Sequence, residues 1–232
     1  MNNFSNQNIK HIFFDLDHTL WDFDTNSLLA FEEIFKKYFP HIEIQHFIKF
    51  YVPINKALWK LYQEDKISHQ ELRFQRLKQS FEKINYKISD DEIEFVANLY
   101  IDLLSTKTNL FENTFAVLDY LSDKYTLNII TNGFSVTQEK KLKNAKLHNY
   151  FKTVTNSEMA GVKKPNGIIF EYALSLAKAN KQQALMIGDC IEADVMGAKN
   201  VGMEAIWFNP NQESCPANIL QITNLIELKN IL

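Results

Sequence analysis

Lys10-His11-Ile12-Phe13-Phe14-Asp15-Leu16-Asp17-His18-Thr19-Leu20 is a short apolar run that ends abruptly on two acids and a hydroxyl. Continuous apolar residues over so short a span predict a buried central strand at Ile12, Phe13 and Phe14 rather than a helix. Asp15 and Asp17 then stand at the carboxyl end of that strand, the edge of an open α/β sheet where ligands bind. Strand alternation places Asp15 and Asp17 on one side, with Leu16 directed away. Two like charges this close cost free energy unless a cation bridges them or one takes a proton, and both remedies point to chemistry. The plain alternative is that the two acids only cap the following turn.

Downstream of Leu20 the pattern stays helical for about 85 residues, far beyond an ordinary βα loop, so a lobe is inserted there. Leu28, Phe31, Ile34, Phe35 and Tyr38 form one stripe that ends near Pro40. A second helix starts near Ile44, is ended or kinked at Pro53, and continues over Leu58, Leu61 and Tyr62. Ser68 with Glu71 and Ser89 with Glu92 have capping-box spacing and open a third and a fourth helix. The third carries Phe74, Leu77, Phe81 and Ile84 on one face, and the fourth Ile93, Val96, Tyr100 and Leu103. Four amphipathic helices need one another for cover, which makes residues 21–105 a helical domain of their own.

Residues 1–20 and 106–232 form the other domain. Strands are expected at 127–130, 184–187 and 205–208, with a weaker one at 153–154, and helices lie between them. Ser135 with Gln138 again has capping-box spacing. Strands alternating with helices predict a Rossmann-like, doubly wound parallel sheet covered on both faces.

With 232 residues and 46% hydrophobic content the chain buries a full core and is not disordered. A formal net charge of -3 offers no basic excess for nucleic acid or anionic membrane, so a small ligand is the expected partner. The first eight residues lack a charged start and a long apolar middle, and no run reaches membrane-spanning length. Cys190 and Cys215 are too few for a disulfide framework or a zinc cage, which fits a reducing, cytoplasmic setting.

Three further polar sites follow strands or join elements. Thr131-Asn132-Gly133 offers a hydroxyl, a carboxamide and free amides near a helix start, a cradle for a phosphoryl group or a simple turn. Lys163-Lys164-Pro165 ties a lysine to a rigid residue; Lys164 is the candidate charge clamp and Lys163 a solvated neighbour. Gly188-Asp189-Cys190-Ile191-Glu192-Ala193-Asp194 follows a buried strand. Oxygen ligands from Asp15 and Asp189 suit Mg²⁺, and Asp194 is placed to orient Lys164 or a metal-bound water. Glu192 reads as a first-turn helix acid and Cys190 as a small space-filling thiol.

Asp15-Leu16-Asp17-His18-Thr19, Thr131-Asn132-Gly133, Lys164-Pro165 and Gly188-Asp189 with Asp194, in this order and spacing, resemble the haloacid dehalogenase superfamily of phosphohydrolases over nearly the whole chain. The resemblance implies Asp15 as the nucleophile that takes the phosphoryl group. Asp17 would protonate the leaving oxygen and then activate water. Thr131 and the Asn132 amide would bind phosphate, with Lys164 as clamp. Mg²⁺ would be held by Asp15, the backbone carbonyl of Asp17 and Asp189, with Asp194 supporting from outside the coordination sphere. Dehalogenating members lack an acid at the second aspartate position, so Asp17 implies phosphate substrates. The inserted lobe falls where the superfamily carries its helical cap, the expected seat of specificity.

Within the superfamily, Thr19-Leu20-Trp21-Asp22-Phe23 with Leu72-Arg73-Phe74 and Arg76 looks most like nucleotidases that hydrolyse nucleoside 5'-monophosphates, noncanonical pyrimidine forms included. Arg73 and Arg76 are the only arginines in a lysine-rich chain, so a planar fork is expected either to meet substrate or to pin the cap; an ion pair with nearby acids is the alternative. Trp21, Phe23 and Trp59 are candidate stacking surfaces or core. The expectation is a Mg²⁺-dependent 5'-nucleotidase, a monomer or weak homodimer, acting on a small phosphate monoester. A sugar-phosphate phosphatase or phosphomutase on the same scaffold and a non-catalytic binding module are the competing readings.

Overall fold

The computed structural model describes residues 8–232; residues 1–7, on which most of the N-terminal expectation rests, lie outside it. The chain divides into two compact units. One is Asp24–Lys107, and the other joins the segment ending at Phe23 to Thr108–Leu232.

The helical unit holds α1 (Phe23–Tyr38), α2 (Ile44–Gln63), α3 (His69–Lys83) and α4 (Asp90–Thr106). Ser68 and Ser89 close the capping boxes their spacing predicts, each accepting from the backbone of the glutamate three residues on. Pro53 does not end α2, which runs through it. The buried stripe Phe47, Tyr51, Asn55, Leu58 and Tyr62 keeps its period across the proline, whose ring lies on the exposed face where water can satisfy the freed carbonyl. Phe31 stacks on Tyr100 at 4.3 Å and Phe35 on Phe81 at 5.9 Å, so interlocked rings fill this core. The inward face of α3 is Leu72, Leu77 and Phe81; Phe74, expected there, is only half-buried.

The second unit is a sheet with helices around it: β1 (His11–Phe14), α5 (Thr114–Ser122), β2 (Thr126–Thr131), α6 (Ser135–Asn144), β3 (Phe151–Asn156), α7 (Ser157–Ala160), α8 (Gly167–Ala177), β4 (Ala184–Gly188), α9 (Gly197–Val201), β5 (Glu204–Phe208), β6 (Leu220–Ile222) and α10 (Leu228–Ile231). The strands order as β3-β2-β1-β4-β5-β6, and every pairing is parallel. This is the doubly wound α/β sheet the alternating pattern predicts. Phe14 pairs with both Ile129 and Ile187, so β1 is central with β2 and β4 on its flanks. The order reverses beside β1, which places the ligand-binding crevice of such sheets at the carboxyl ends of β1 and β4. Phe13, Met186, Ile130 and Trp207 pack with Ile169, Phe170 and Ala173 of α8 beneath that edge.

Three local features depart from the sequence pattern. Residues 191–196, expected as ordinary helix, form a π-helical turn ahead of α9, a widened turn frequent at functional sites. Ser135 and Gln138 make no capping box: Phe134 is the N-cap, and Glu158 Oε2 accepts from the Ser135 amide at 2.7 Å. β6 escaped notice because it is three residues long with only Ile222 buried. Among the described residues no helix is long and apolar enough to cross a membrane, and Cys190 and Cys215 are both free.

Candidate active site

Asp15 is the first residue beyond β1. Its amide still donates to Ile187 O at 2.9 Å, which locks the chain to β4 at the point where the side chain leaves the sheet. From there the backbone does not continue as strand. The amides of Leu20 and Trp21 both turn back to Leu16 O, and His18 adopts a positive φ of 62°. The regular strand ends at Phe14, and Asp17 is held by an isolated bridge to Trp21 just before the turn at residues 18–20.

Each acid has its own lysine. Lys164 Nζ donates to Asp15 Oδ1 at 2.5 Å, Asp194 Oδ1 at 2.6 Å and Ile130 O at 2.8 Å, so all three of its hydrogens are committed in a buried setting. Asp17 Oδ1 accepts from Lys141 Nζ at 2.5 Å and Asp17 Oδ2 from Gln138 Nε2 at 2.8 Å.

The Thr131-Asn132-Gly133 turn is wired more tightly than a free cradle. Asn132 spends its carboxamide on the backbone of Lys164, accepting from its amide at 2.8 Å and donating to its carbonyl at 3.0 Å. The Asn132 side chain thus positions Lys164 by holding both the N–H and the C=O of its backbone. Thr131 Oγ1 accepts from the Gly133 amide at 3.1 Å and from Gln138 Nε2 at 2.8 Å. With both lone pairs taken, the hydroxyl has its hydrogen left to donate, the polarity a phosphoryl oxygen needs.

Asp189 follows β4, and its Oδ1 accepts from Thr19 Oγ1 at 3.3 Å while its carbonyl accepts from Trp207 Nε1 at 2.7 Å. Asp194 sits on the π-helical turn, and its second oxygen accepts from the Cys190 amide at 3.0 Å. Gly188 makes this fit possible: a Cβ there would lie 2.6 Å from Asp194 Cβ.

Electrostatically the group is short of positive charge. Asp15, Asp189 and Asp194 each offer an oxygen within 4.8 Å of the others, against the single ammonium of Lys164. Burial pushes Asp15 well above the usual carboxylate range, opposed by Lys164 and reinforced by Asp194 and Asp189. Burial and then the Asp194 charge push Asp189 up to about 8. Lys164 is held above the ordinary lysine value because the two carboxylates outweigh the opposing effect of burial. An oxygen-only donor set with a formal excess of two negative charges fits a hard divalent cation, and because Asp194 spends both oxygens on Lys164 and the Cys190 amide, Asp15 and Asp189 are the candidate ligands. The Asp17 side chain is not part of this cluster. The Cys190 thiol is pushed up to about 12 by burial and Asp194, which leaves it an inert packing group.

Gln138 and Lys141 are the site residues that sequence reading missed. Both lie on the inward face of α6 beside Leu142, and the visible signal was a buried stripe carrying two polar residues where apolar ones belong. Trp21 and Phe23 are buried against each other and beneath Lys141, so they are core rather than an open stacking surface. Arg73 and Arg76 belong to the helical unit and are occupied inside it. Arg76 is buried, donates to Asn55 Oδ1 at 3.3 Å and lies 4.9 Å from the Tyr100 ring centre; Arg73 donates to Asn98 Oδ1 at 2.7 Å.

A carboxylate held by a buried ammonium at the switch point of a doubly wound sheet, with two further carboxylates beside it, is the candidate active site of the chain. The chain belongs to the haloacid dehalogenase-like hydrolases, whose family model matches residues 12–208. Pyrimidine 5'-nucleotidase PynA of Streptococcus pneumoniae is 36% identical over 87% of this chain and 84% of its own. Pyrimidine 5'-nucleotidase YjjG of Escherichia coli is 32% identical over 95% of this chain and 96% of its own. The crystal structure of the HAD-hydrolase YfnB of Bacillus subtilis, bound to magnesium, is 28% identical, covers 97% of this chain and 99% of its own, and superposes with a TM-score of 0.88.

Proposed function

We propose that this hydrolase is a Mg²⁺-dependent phosphomonoesterase that works through a phosphoaspartate on Asp15, with nucleoside 5'-monophosphates, pyrimidine ones foremost, as its substrates. The observation that carries the reading is the Lys164 to Asp15 contact at 2.5 Å, beside Asp189 and ahead of Asp17. The shared names of the two nucleotidase relatives support the choice of leaving group.

In the first step an Asp15 oxygen bonds to phosphorus as the bond to the leaving oxygen breaks, and Asp17 passes a proton to that oxygen. In the second, water bonds to phosphorus, Asp17 takes its proton, and the Asp15 carboxylate is released. Dividing one hard displacement into two in this way is the advantage of a covalent intermediate. Lys164, the Thr131 hydroxyl and the Asn132 amide bind and orient the transferring phosphoryl group, whose negative charge needs fixed donors rather than mobile water. Mg²⁺ held by Asp15, the Asp17 carbonyl and Asp189 supplies further charge neutralisation when bound. Asp194 keeps Lys164 in place.

Phosphate release from a panel of nucleoside 5'-monophosphates and sugar phosphates, with Mg²⁺ or with EDTA, tests this. Mg²⁺-dependent release, fastest with UMP, CMP or TMP, is expected. Preference for a sugar phosphate overturns the substrate assignment, and absence of release by folded protein overturns the enzyme reading.

A further inference from the structure

The Asp17 carboxylate must exchange a proton twice per turnover, yet it lies beyond the end of β1, where no strand neighbour fixes the side chain. What holds it is α6. Lys141 Nζ meets Oδ1 at 2.5 Å and Gln138 Nε2 meets Oδ2 at 2.8 Å, so both oxygens are gripped from one side. Gln138 Nε2 also donates to Thr131 Oγ1 at 2.8 Å, tying the acid and the phosphate-binding hydroxyl to one side chain.

Lys141 is itself unusual. Lysines are almost never fully buried, yet the side chain of this one is 3% exposed. Its ammonium lies 4.1 Å from the Trp21 ring centre and 5.4 Å from that of Phe23. Two ring faces and the Asp17 carboxylate lie against it, which restrains its position. A buried ion pair is a poor stability device, since apolar residues of like volume usually do as well or better. The Asp17 side chain keeps 22% exposure, so it is held on the α6 side and open on another. Each gripped oxygen retains a second lone pair through which a proton can pass.

We propose that Lys141, assisted by Gln138, is a positioning residue that aims the Asp17 carboxylate at the leaving oxygen and later at the attacking water. Lys141 keeps its own protons throughout and touches neither substrate nor phosphorus. This rests on the phosphatase reading above. Misplacing a reacting group by about 1 Å costs up to about a hundredfold in rate, so loss of this grip shows in turnover and not in binding.

The test is a double-mutant cycle of Lys141→Met and Asp17→Asn, on whichever monoester of the panel turns over fastest. Lys141→Met lowers kcat by about tenfold to a hundredfold with KM within about twofold, and Lys141→Arg recovers most of the loss. In the Asp17→Asn background, Lys141→Met changes kcat by less than about twofold, because its action runs through the missing acid. An equal loss in both backgrounds, or a rise in KM with kcat unchanged, overturns the proposal. Thermal melts report folding; should Lys141→Met not fold, Lys141→Gln, neutral but still a donor, carries the same cycle. An inactive parent protein sinks the phosphatase reading, whereas an active parent with an additive cycle sinks only the role of Lys141.

Discussion

Lys164 Nζ stands 2.5 Å from Asp15 Oδ1 while Asn132, just past the end of β2, clamps the lysine backbone. The same ammonium supports Asp194 at 2.6 Å. Replacing Lys164 with Met leaves two buried carboxylates without their cation, a loss of about 3–5 kcal/mol for a broken buried pair. Lys164→Met is expected to melt several degrees lower and to lose at least about a thousandfold in kcat, as measured by thermal melts and phosphate release. A variant that keeps the parent rate contradicts the clamp.

The raised value of Asp189, about 8 against an ordinary 3.8, has a definite sign in stability. A carboxyl that holds its proton more tightly folded than unfolded makes the metal-free protein less stable as pH rises from about 4 through about 8. Mg²⁺ displaces that proton, so its binding strengthens over the same window. Thermal melts at pH 6 and pH 8 are expected to show a larger gain on adding Mg²⁺ at pH 8. Equal gains contradict the assignment of Asp189 as a ligand.

Two glycines should respond differently to alanine. At Gly188 the new Cβ meets the short, buried Asp194 side chain, 2.6 Å from its Cβ, which cannot move aside. Gly188→Ala is expected to cost about 1–3 kcal/mol by overpacking and to lower activity. At Gly133 the clash is with the far end of Gln138, 2.5 Å from its Cδ, which can swing away. Gly133→Ala is expected to melt near the parent but to turn over more slowly, as Gln138 leaves Asp17 and Thr131.

The two arginines should separate by burial. Arg76 is buried against Asn55 and Tyr100, whereas Arg73 is partly exposed. Arg76→Ala is expected to destabilise by about 1–3 kcal/mol, with a smaller effect for Arg73→Ala. Denaturant melts measure this, and the kinetic constants of both variants report whether either also touches substrate.

Much of this fold is legible because its signals are local. Ile12 to Phe14 and the run ending at Ile187 are buried on both faces, so they read as central strands. Ser68 and Ser89 form their capping boxes within four residues of chain. The identical spacing at Ser135 misleads because Gln138 is drawn instead to Asp17 and Thr131, a tertiary demand absent from any local pattern. Lys141 is hidden for a related reason: one buried lysine cannot be told from the solvated ones around it until the ring faces of Trp21 and Phe23 are placed. The pairing of Asp15 with Lys164 and of Asp17 with Lys141 is likewise tertiary, since both lysines lie far from the acids along the chain.

The proposed mechanism requires a covalent phosphoryl group on Asp15, the residue that Lys164 holds. Rapid acid quench during turnover with Mg²⁺, followed by peptide mass spectrometry, tests it most directly. The peptide bearing Asp15 is expected to carry one phosphoryl group, localised to Asp15 and lost in Asp15→Asn. A phosphoryl group on any other residue, with folded Asp15→Asn releasing phosphate at the parent rate, contradicts the account.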